Sequence, residues 1–188
     1  MDKRYVVKIA TTKDIDDLVR MRFSLQEHMS KTTPFLWELS PKRLSEQVEF
    51  YRKMMSNEDI RLLVIYDEES KKNIGMAFGW KLTNDQFIPN KSGRIEDMWI
   101  DPAHRRKGLC KSLLSELVQF FSAAGVASLT LQYVEGNHEA EHIWTKLGFH
   151  SVLRTANASL AEVEEKCALS ETQHPASQGF VPKNGPHL

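Results

Sequence analysis

The sequence predicts a single α/β domain. Its 188 residues, of which 41% are hydrophobic and 27% charged, are enough for one soluble domain with a sizeable core. Strand-like segments alternate along the chain with segments of helical periodicity. The stretch 94–134 contains a strand, a helix and a second strand, and strands joined by a crossover helix are usually parallel. These observations favour a sheet that contains a parallel pair and is flanked by helices.

The individual elements follow from the periodicity of apolar residues. Continuous apolar runs and period-2 alternation predict strands, whereas apolar stripes at 3.6-residue spacing predict helices. The predicted elements are a strand over 4–10, a helix over about 12–29, a helix from Pro41 to about Met55, strands over 62–66, 74–82 and 94–100, a helix over about 109–124, a strand over 127–134, a helix over 137–147 and a strand over 149–155. From residue 170 onward the chain is rich in Pro, Gly and polar residues. This composition predicts a flexible tail over 170–188 after a domain of residues 1–169.

Charge and cysteine usage argue against several classes of protein. Lys and Arg total 25 and Asp and Glu total 25, so there is no overall basic field for nucleic acid or a membrane surface. Cys110 and Cys167 lie far apart without metal-ligand spacing, and His104, His138 and His142 share no metal-like arrangement with carboxylates. The N-terminus is too charged for a signal peptide, and no apolar run approaches membrane-spanning length. We therefore expect a cytoplasmic protein with no metal, no nucleic-acid partner and no membrane partner.

Three consecutive basic residues, Arg105, Arg106 and Lys107, precede Gly108 at the start of the predicted helix 109–124. A helix N-terminus exposes unpaired backbone N–H groups and a partial positive charge, which suits an anion. Glycine removes the side chain where a ligand must approach the backbone closely, and basic side chains bind phosphate. The turn therefore predicts a phosphate or pyrophosphate site. A solvated basic helix start is the alternative, because neither GxxxxGK[ST] nor GxGxxG is present.

The segment around this turn resembles the acetyl-CoA segment of the GNAT N-acetyltransferases. In that family a strand ending hydrophobic-x-hydrophobic-x-Pro leads into an Arg-x-x-Gly-x-Gly/Ala turn and a helix. Here the strand ends with MWIDP at 98–102, and the turn is RRKGLC at 105–110. Downstream, NHEAEHIWTKLGF at 137–149 resembles the second signature of the family. Two motifs in the family's order are more specific than either alone, and the resemblance extends over 74–155.

The resemblance implies a fold and a co-substrate. The fold is a single GNAT-type domain with a mixed, mostly antiparallel sheet flanked by helices. Its central parallel strands, here 94–100 and 127–134, splay apart around acetyl-CoA. Cys110 stands where the family usually has Gly or Ala, and a thiol is small enough to fit. The residues that the resemblance places against acetyl-CoA are Met98, Trp99, Ile100, Arg105, Arg106, Lys107, Gly108, Leu109, Cys110, Lys111 and Asn137.

The strand 94–100 also resembles that of diamine N-acetyltransferases, in which a Glu-Asp pair precedes the same strand end. Because successive strand side chains point to opposite faces, we expect Glu96 on the face of Met98 and Ile100, and Asp97 on the face of Trp99. By resemblance Glu96 is the general base for an amine that attacks the thioester directly. The alternative is that both carboxylates only form salt bridges.

Trp144 stands where many members of the family carry a tyrosine, whose hydroxyl is thought to protonate the departing CoA thiolate. An indole cannot supply that proton, so water or another residue must do so, or the thiolate leaves unaided. This departure keeps a second function open, a non-catalytic module that binds or senses acyl-CoA. The acceptor, a small-molecule or peptide amine, is expected between the first two helices and the loop 32–40. The sequence leaves a homodimer open.

Overall fold

The described part of the protein, residues 4–32 and 40–171 of a computed structural model, contains one five-stranded sheet. The strands lie side by side in chain order: β1 (Tyr5–Ile9), β2 (Ile60–Asp67), β3 (Lys72–Thr83), β4 (Lys91–Ile100) and β5 (Ser128–Leu131). The first three pairs are antiparallel, and β4 with β5 is parallel. The helices are α1 (Ile15–Thr32), α2 (Pro41–Met55), α3 (Leu109–Ala123), α4 (His138–Lys146) and α5 (Leu160–Glu171), with 3₁₀ turns at Thr12–Asp14 and Pro102–His104.

The chain divides into two units, Met1–His150 and Ser151–Leu188. The first unit contains the sheet together with α1 to α4, and the described part of the second contains α5. Within the described residues, no helix is both long and apolar enough to cross a membrane. The predicted tail falls almost entirely on residues after 171, which lie outside the described residues.

Helices cover both faces of the sheet in the first unit. On one face Leu113, Leu117 and Phe121 of α3 belong to the same buried cluster as Ile65 and Ile95 of the sheet. On the other face the corresponding cluster contains residues of α1, α2, β2, β3 and β4: Leu18, Met21, Tyr51, Val64, Met76, Phe78 and Trp99. The apolar periodicity that predicted these helices and strands therefore corresponds to two hydrophobic cores, one on each face.

Two glycines bring α3 close to the sheet. A Cβ atom added at Gly79 would lie 2.7 Å from Leu117 Cδ2, and one added at Gly93 would lie 2.9 Å from Phe121 Cδ1. Real Cβ atoms essentially never show contacts this short, so an alanine at either position would force the Leu117 or Phe121 side chain to move. The close approach fixes α3, and therefore its N-terminal turn, relative to β4.

The pairing between β4 and β5 is short. It begins at Ser92 opposite Ser128 and ends at Ile95 opposite Leu131, after which β4 continues to Ile100 with no β5 partner in the described residues. The two parallel strands are therefore joined at one end and separate at the other, as a splayed pair requires. The strand predicted over 127–134 is shorter than expected, because only its first half pairs with β4.

Most predicted elements are confirmed, but the strand predicted over 149–155 is wrong. Residues 149–159 have no regular secondary structure, and Val152 and Leu153 are 82% and 88% exposed. A strand needs a neighbour to satisfy its backbone groups, and in the described residues this segment is paired with none. The apolar residues of this segment do not show by themselves whether a neighbouring strand is available to pair with it. The helix α5 was not predicted.

The start of α1 is fixed by a buried carboxylate, Asp14, which is 4% exposed. Its oxygens accept hydrogen bonds from the backbone N–H and the hydroxyl of Thr11, from the amide of Asn73 and from Lys8, at 2.8–3.0 Å. Burial works to raise the pKa of Asp14, but the hydrogen bonds from Thr11, Asn73 and Lys8 outweigh it and hold the pKa at about 2. The ionised carboxylate thus joins the start of α1 to β1 and β3.

Replacement of Asp14 should lower the free energy of unfolding and make it depend less on pH in the acidic range. Because the folded pKa is below the ordinary value of 3.8, Asp14 stabilises the fold above about pH 4, and that contribution is lost as the pH falls towards 2. We expect Asp14→Asn to lower the free energy of unfolding at pH 7 by about 1–3 kcal/mol. Urea unfolding of both proteins at pH 7 and pH 3 measures this. Asp16→Asn, an exposed change in the same helix, is the control, and a gap between parent and Asp14→Asn that does not narrow at pH 3 would contradict the assignment.

Candidate active site

A β-bulge interrupts β4 where β5 no longer accompanies it. Trp99 pairs with Met76 and Glu96 pairs with Phe78, so two β4 residues, 97 and 98, lie opposite a single residue of β3. Asp97 adopts a φ of +22°, which an L-residue other than glycine rarely takes. Such strained backbone persists only where its surroundings hold it, and it occurs most often at functional sites.

The bulge places the two carboxylates on the same side of the sheet. Glu96 lies opposite Phe78, whose side chain belongs to the core beneath α1 and α2, and Asp97 Oδ2 lies 3.1 Å from Nε of Arg22 in α1. Met98 and Ile100 instead pack with the core on the α3 face. The prediction that Glu96 shares a face with Met98 and Ile100, opposite to Asp97, is therefore wrong. Strict alternation fails because one extra residue is inserted into the strand.

Glu96 is a partly covered carboxylate with a raised pKa. Its Oε1 lies 2.5 Å from Nε of Arg94, which also donates from Nη2 to Gln132 Oε1 at 3.0 Å. Burial raises the pKa of Glu96 above its ordinary 4.5 and Asp97 adds to this, while the charges of Arg94 and Arg22 act in the opposite direction. A carboxylate with a raised pKa holds a proton more strongly, as a general base must.

The turn before α3 exposes backbone N–H groups. Gly108 caps the helix with a φ of +77°, and a Cβ added there would meet no atom of the described residues within 4 Å. The first hydrogen bond into α3 runs from Ser112 N–H to the Gly108 carbonyl at 3.2 Å. The N–H groups of residues 109–111 therefore precede any helical acceptor. The turn offers donors and open space together, as an anion site requires.

The basic side chains of this turn point to different partners. Arg105 donates to Glu139 Oε2 at 3.0 Å and to the Ile100 carbonyl at 3.2 Å. Lys107 Nζ donates to the hydroxyl of Tyr5 at 3.0 Å. Arg106 is exposed and makes no hydrogen bond or ion pair with any described residue. Two of the three basic side chains that were expected to bind phosphate, Arg105 and Lys107, thus bind other residues of the protein.

Trp99 also faces inward. The residue is 6% exposed, its Nε1 donates to Asp101 Oδ1 at 2.8 Å, and the Arg105 guanidinium lies 4.9 Å from the ring centre. Only the backbone groups of Trp99 are therefore suited to contact a ligand that lies beside the half of β4 without a β5 partner.

Leu109 and Cys110 connect the turn to the core. Leu109 is 2% exposed, and the thiol of Cys110 donates to Met98 Sδ at 3.2 Å. Burial raises the pKa of Cys110 to about 11, so the thiol stays protonated near neutral pH. Cys110 therefore acts here as a small packing residue, while the next residue, Lys111, is exposed.

Comparison with known proteins agrees with this geometry. The sequence profile of the Acetyltransferase (GNAT) family matches residues 23–149. The chain belongs to the GNAT acetyltransferase family. The match begins within α1 and extends past α4, and it includes the β4 bulge and the turn before α3. The domain boundary predicted at residue 169 lies beyond it and stays a prediction.

Several solved structures share the fold. A predicted acetyltransferase from Clostridium acetobutylicum, crystallised with acetyl-CoA, is 18% identical over 84% of this chain and 97% of that one, with a TM-score of 0.67. A Bacillus halodurans protein solved as a tetramutant is 18% identical over 82% and 99%, with a TM-score of 0.72. Glucosamine-6-phosphate N-acetyltransferase from Arabidopsis thaliana is 16% identical over 83% and 98%, with a TM-score of 0.62. At such identities the likeness concerns the fold alone. Among curated proteins, none matches the sequence of this chain.

The second signature of this GNAT domain forms α4 and the residues that follow it. Asn137 caps the helix, because its Oδ1 accepts from Ala140 N–H at 3.0 Å. Trp144 is 8% exposed, belongs to the core on the α3 face and contacts Phe149 edge-on at 5.5 Å between ring centres. The oxygen of Asn137 is thus used within the protein, and Trp144 packs in the core.

Two residues of the site, Arg22 and Arg94, were missed by the sequence analysis. Arg22 and Gln26 lie on the face of α1 that also carries Leu18, at helical spacing. A charged residue within an apolar stripe indicates a buried partner, and this signal was available. Arg94 precedes Glu96 by two strand residues, which places both side chains on one face.

The packing of Trp144 predicts a large effect on stability. We expect Trp144→Ala to lower the free energy of unfolding by about 3–5 kcal/mol, because the lost indole leaves a cavity in the α3-side core. Trp144→Phe should lose much less, since the remaining ring still contacts Phe149. Urea unfolding followed by circular dichroism measures both. Trp80→Ala, at a position 39% exposed, is the control, and an equal loss in the control would contradict the packing role.

Proposed function

We propose that the protein transfers an acetyl group from acetyl-CoA to an amine by direct attack of the amine on the thioester. One observation carries the proposal: an open, N–H-rich helix turn and a carboxylate of raised pKa both belong to the separated half of β4 and the turn after it. Membership of the GNAT family supports it. The Clostridium acetobutylicum structure of the same fold was crystallised with acetyl-CoA, which supports acetyl-CoA as the co-substrate.

The residues present suit acetyl-CoA as the donor. The N–H groups of residues 109–111 and the missing side chain at Gly108 suit its pyrophosphate, with Arg106 as the exposed cation beside them. The backbone of 96–100, which has no β5 partner, suits the amide groups of the pantetheine arm. We therefore assign donor binding chiefly to backbone groups, with Arg105 and Lys107 shaping the turn through Glu139 and Tyr5.

Glu96 is the proposed general base. It takes the proton that the amine loses as the nitrogen bonds to the thioester carbonyl carbon and the C–S bond breaks. Backbone N–H groups near Met98 are the proposed donors to the carbonyl oxygen as its charge develops. The Glu96 carboxylate is partly exposed and bonded to Arg94, so an approaching amine reaches it by replacing that partner.

The departing thiolate does not need a tyrosine. Trp144 is buried in the core and carries no acidic hydroxyl, and the pKa of about 11 makes the Cys110 thiol a weaker acid than a coenzyme thiol. A free thiol has an unperturbed pKa of about 8.5, so near neutral pH the thiolate can leave as an anion or take a proton from water. We propose this route for the sulfur of CoA.

The acceptor remains defined only as an amine, either a small molecule or a peptide. Its proposed site adjoins α1, because Asp97 is bonded to Arg22 from that helix. The loop expected to form the rest of its wall, 33–39, lies outside the described residues. A homodimer and a cytoplasmic location stay predictions.

The proposal is tested by incubation of the protein with acetyl-CoA and a panel of amines, with detection of free thiol and of the acetylated amine by mass spectrometry. Thiol release that depends on an amine supports acetyl transfer. Trp144 favours one rival, a non-catalytic acyl-CoA-binding module. Tight binding of acetyl-CoA in calorimetry without release of thiol for any amine would favour that rival.

Replacement of Glu96 should separate turnover from donor binding. Glu96→Gln keeps the shape of the side chain but removes the proton acceptor, so we expect kcat/KM to fall by about 10²- to 10⁴-fold. The Kd of acetyl-CoA should change little. Glu116→Gln, an exposed carboxylate on α3, is the control for loss of charge. Unchanged kcat/KM in a folded Glu96→Gln variant would rule out Glu96 as the base.

Replacement of Gly108 should weaken the binding of acetyl-CoA, which replacement of Glu96 should leave unchanged. Gly108→Asp adds bulk and negative charge at the proposed pyrophosphate site, and we expect the affinity for acetyl-CoA to fall by at least about 1.5–3 kcal/mol. Gly108→Ala is the matched control, because it carries the same backbone strain at φ +77° without the charge. Calorimetry on both variants gives the two affinities. Equal Kd values for Gly108→Asp and the parent, in a folded protein, would overturn the donor site.

A further inference from the structure

Arg22 is held in place by two contacts on the α1 side of the sheet. Its Nε lies 3.1 Å from Asp97 Oδ2, and its Nη1 donates to Gln26 Oε1 at 3.1 Å. The side chains of Arg22 and Asp97 are 18% and 22% exposed, and Gln26 is 7% exposed. A pair so well covered is screened less by solvent than an ordinary surface ion pair. A guanidinium with two fixed partners is also pre-organised, because its planar fork matches both at once.

The residue that Arg22 contacts is the strained one. Asp97 is the β4 bulge residue with a φ of +22°, and it directly follows Glu96. A bulge re-aims the side chains beside it, so whatever fixes Asp97 also fixes the direction of Glu96. The ion pair from α1 is one such restraint, and it reaches the bulge from outside the sheet.

Arg22 also balances the charge around Glu96. The charged groups that act on this carboxylate are Arg94 and Asp97 of β4 and Arg22 of α1. From β3 the residue opposite Glu96 is the apolar Phe78, and Gln132, which follows β5 and bonds to Arg94, is uncharged. Without Arg22, the charge of Asp97 would act on Glu96 with one cation fewer to offset it.

We propose that Arg22 is a positioning residue for acetyl transfer: anchored by Gln26, it holds Asp97 at the β4 bulge and so sets the direction and the ionisation of Glu96. The inference rests on the proposed function, in which Glu96 is the base. In this scheme Asp97 does not contact the amine. Through its ion pair with Arg22, Asp97 links the position of Glu96 to α1.

Loss of Arg22 should change how the rate depends on pH. A base acts only when it is deprotonated, and removal of a nearby cation raises the pKa of Glu96 further. The acidic limb of kcat/KM against pH should therefore move to higher pH in Arg22→Gln. With the same amine in both proteins, the ionisation of the acceptor is constant and cancels. We expect the loss of kcat/KM to be greater at pH 6 than at pH 9, by at most about tenfold for each unit by which the pKa of Glu96 rises.

The experiment compares five proteins with the parent: Arg22→Gln, Arg22→Lys, Asp97→Asn, the Arg22→Gln/Asp97→Asn double variant, and Arg52→Gln as an exposed control on α2. Arg22→Lys keeps the positive charge and should retain the acidic limb of the parent. This variant keeps the proposal testable if Arg22→Gln folds poorly. In the double variant the Arg22 change should add little to the loss of rate that Asp97→Asn causes at pH 9, because the positional effect passes through Asp97. A fall in rate by the same factor at every pH, or fully additive losses at pH 9, would show a merely structural role and overturn the proposal.

A second measurement separates this inference from the proposed function. Titration of the Glu96 carboxyl by NMR, in protein with ¹³C-labelled glutamate and without acetyl-CoA, needs no turnover. A higher pKa for Glu96 in Arg22→Gln than in the parent supports the role of Arg22 even if no amine is acetylated. If the parent acetylates an amine while neither the Glu96 titration nor the acidic limb moves in Arg22→Gln, Arg22 is not a positioning residue, and the proposed function stands.

Discussion

The site depends on the place where β4 loses its partner. Up to Ile95 the strand is bonded on both edges, and beyond it only β3 remains as a described partner. Buried backbone N–H and C=O groups need partners, so a strand edge left open within a domain must face water, a ligand or another segment. The bulge at Asp97 lies in this half-paired stretch, as is common for bulges, which occur most often at sheet edges and beside active sites.

Polar contacts add to the apolar packing that holds the open end of β4. From α1, Arg20 bonds to Asp101 and to the Asn73 carbonyl, and Arg22 bonds to Asp97. From the turn before α3, the Arg105 side chain donates to the Ile100 carbonyl. Because this edge of β4 has no strand partner in the described residues, the charged groups anchored on neighbouring elements supplement the packing that holds it.

The sequence predicted the parts of the molecule that depend on local pattern. α3 was predicted because Leu113, Leu117 and Phe121 repeat at helical spacing, and the turn before it was predicted from Gly108 and its basic neighbours. The bulge at Asp97 could not be predicted, because it is defined by which residue of β3 lies opposite, and pairing is not local. The directions of Arg105 and Lys107 also depend on Glu139 and Tyr5, which lie far from them in the chain.

The pairing of Glu96 with Arg94 fits a base that meets a cation. In the free protein Arg94 contacts both Glu96 and Gln132. Under the proposed function, a protonated amine that approaches Glu96 takes the place of Arg94, which keeps Gln132 as a partner and stays nearby. A retained positive charge disfavours the protonated form of the amine, whereas burial favours the protonated form of Glu96. Burial therefore favours transfer of the proton to Glu96, whereas the charge of Arg94 makes the amine more acidic but also lowers the pKa of Glu96. Displacement of Arg94 from the carboxylate by the amine weakens that second effect and so makes Glu96 a stronger base at the moment of reaction.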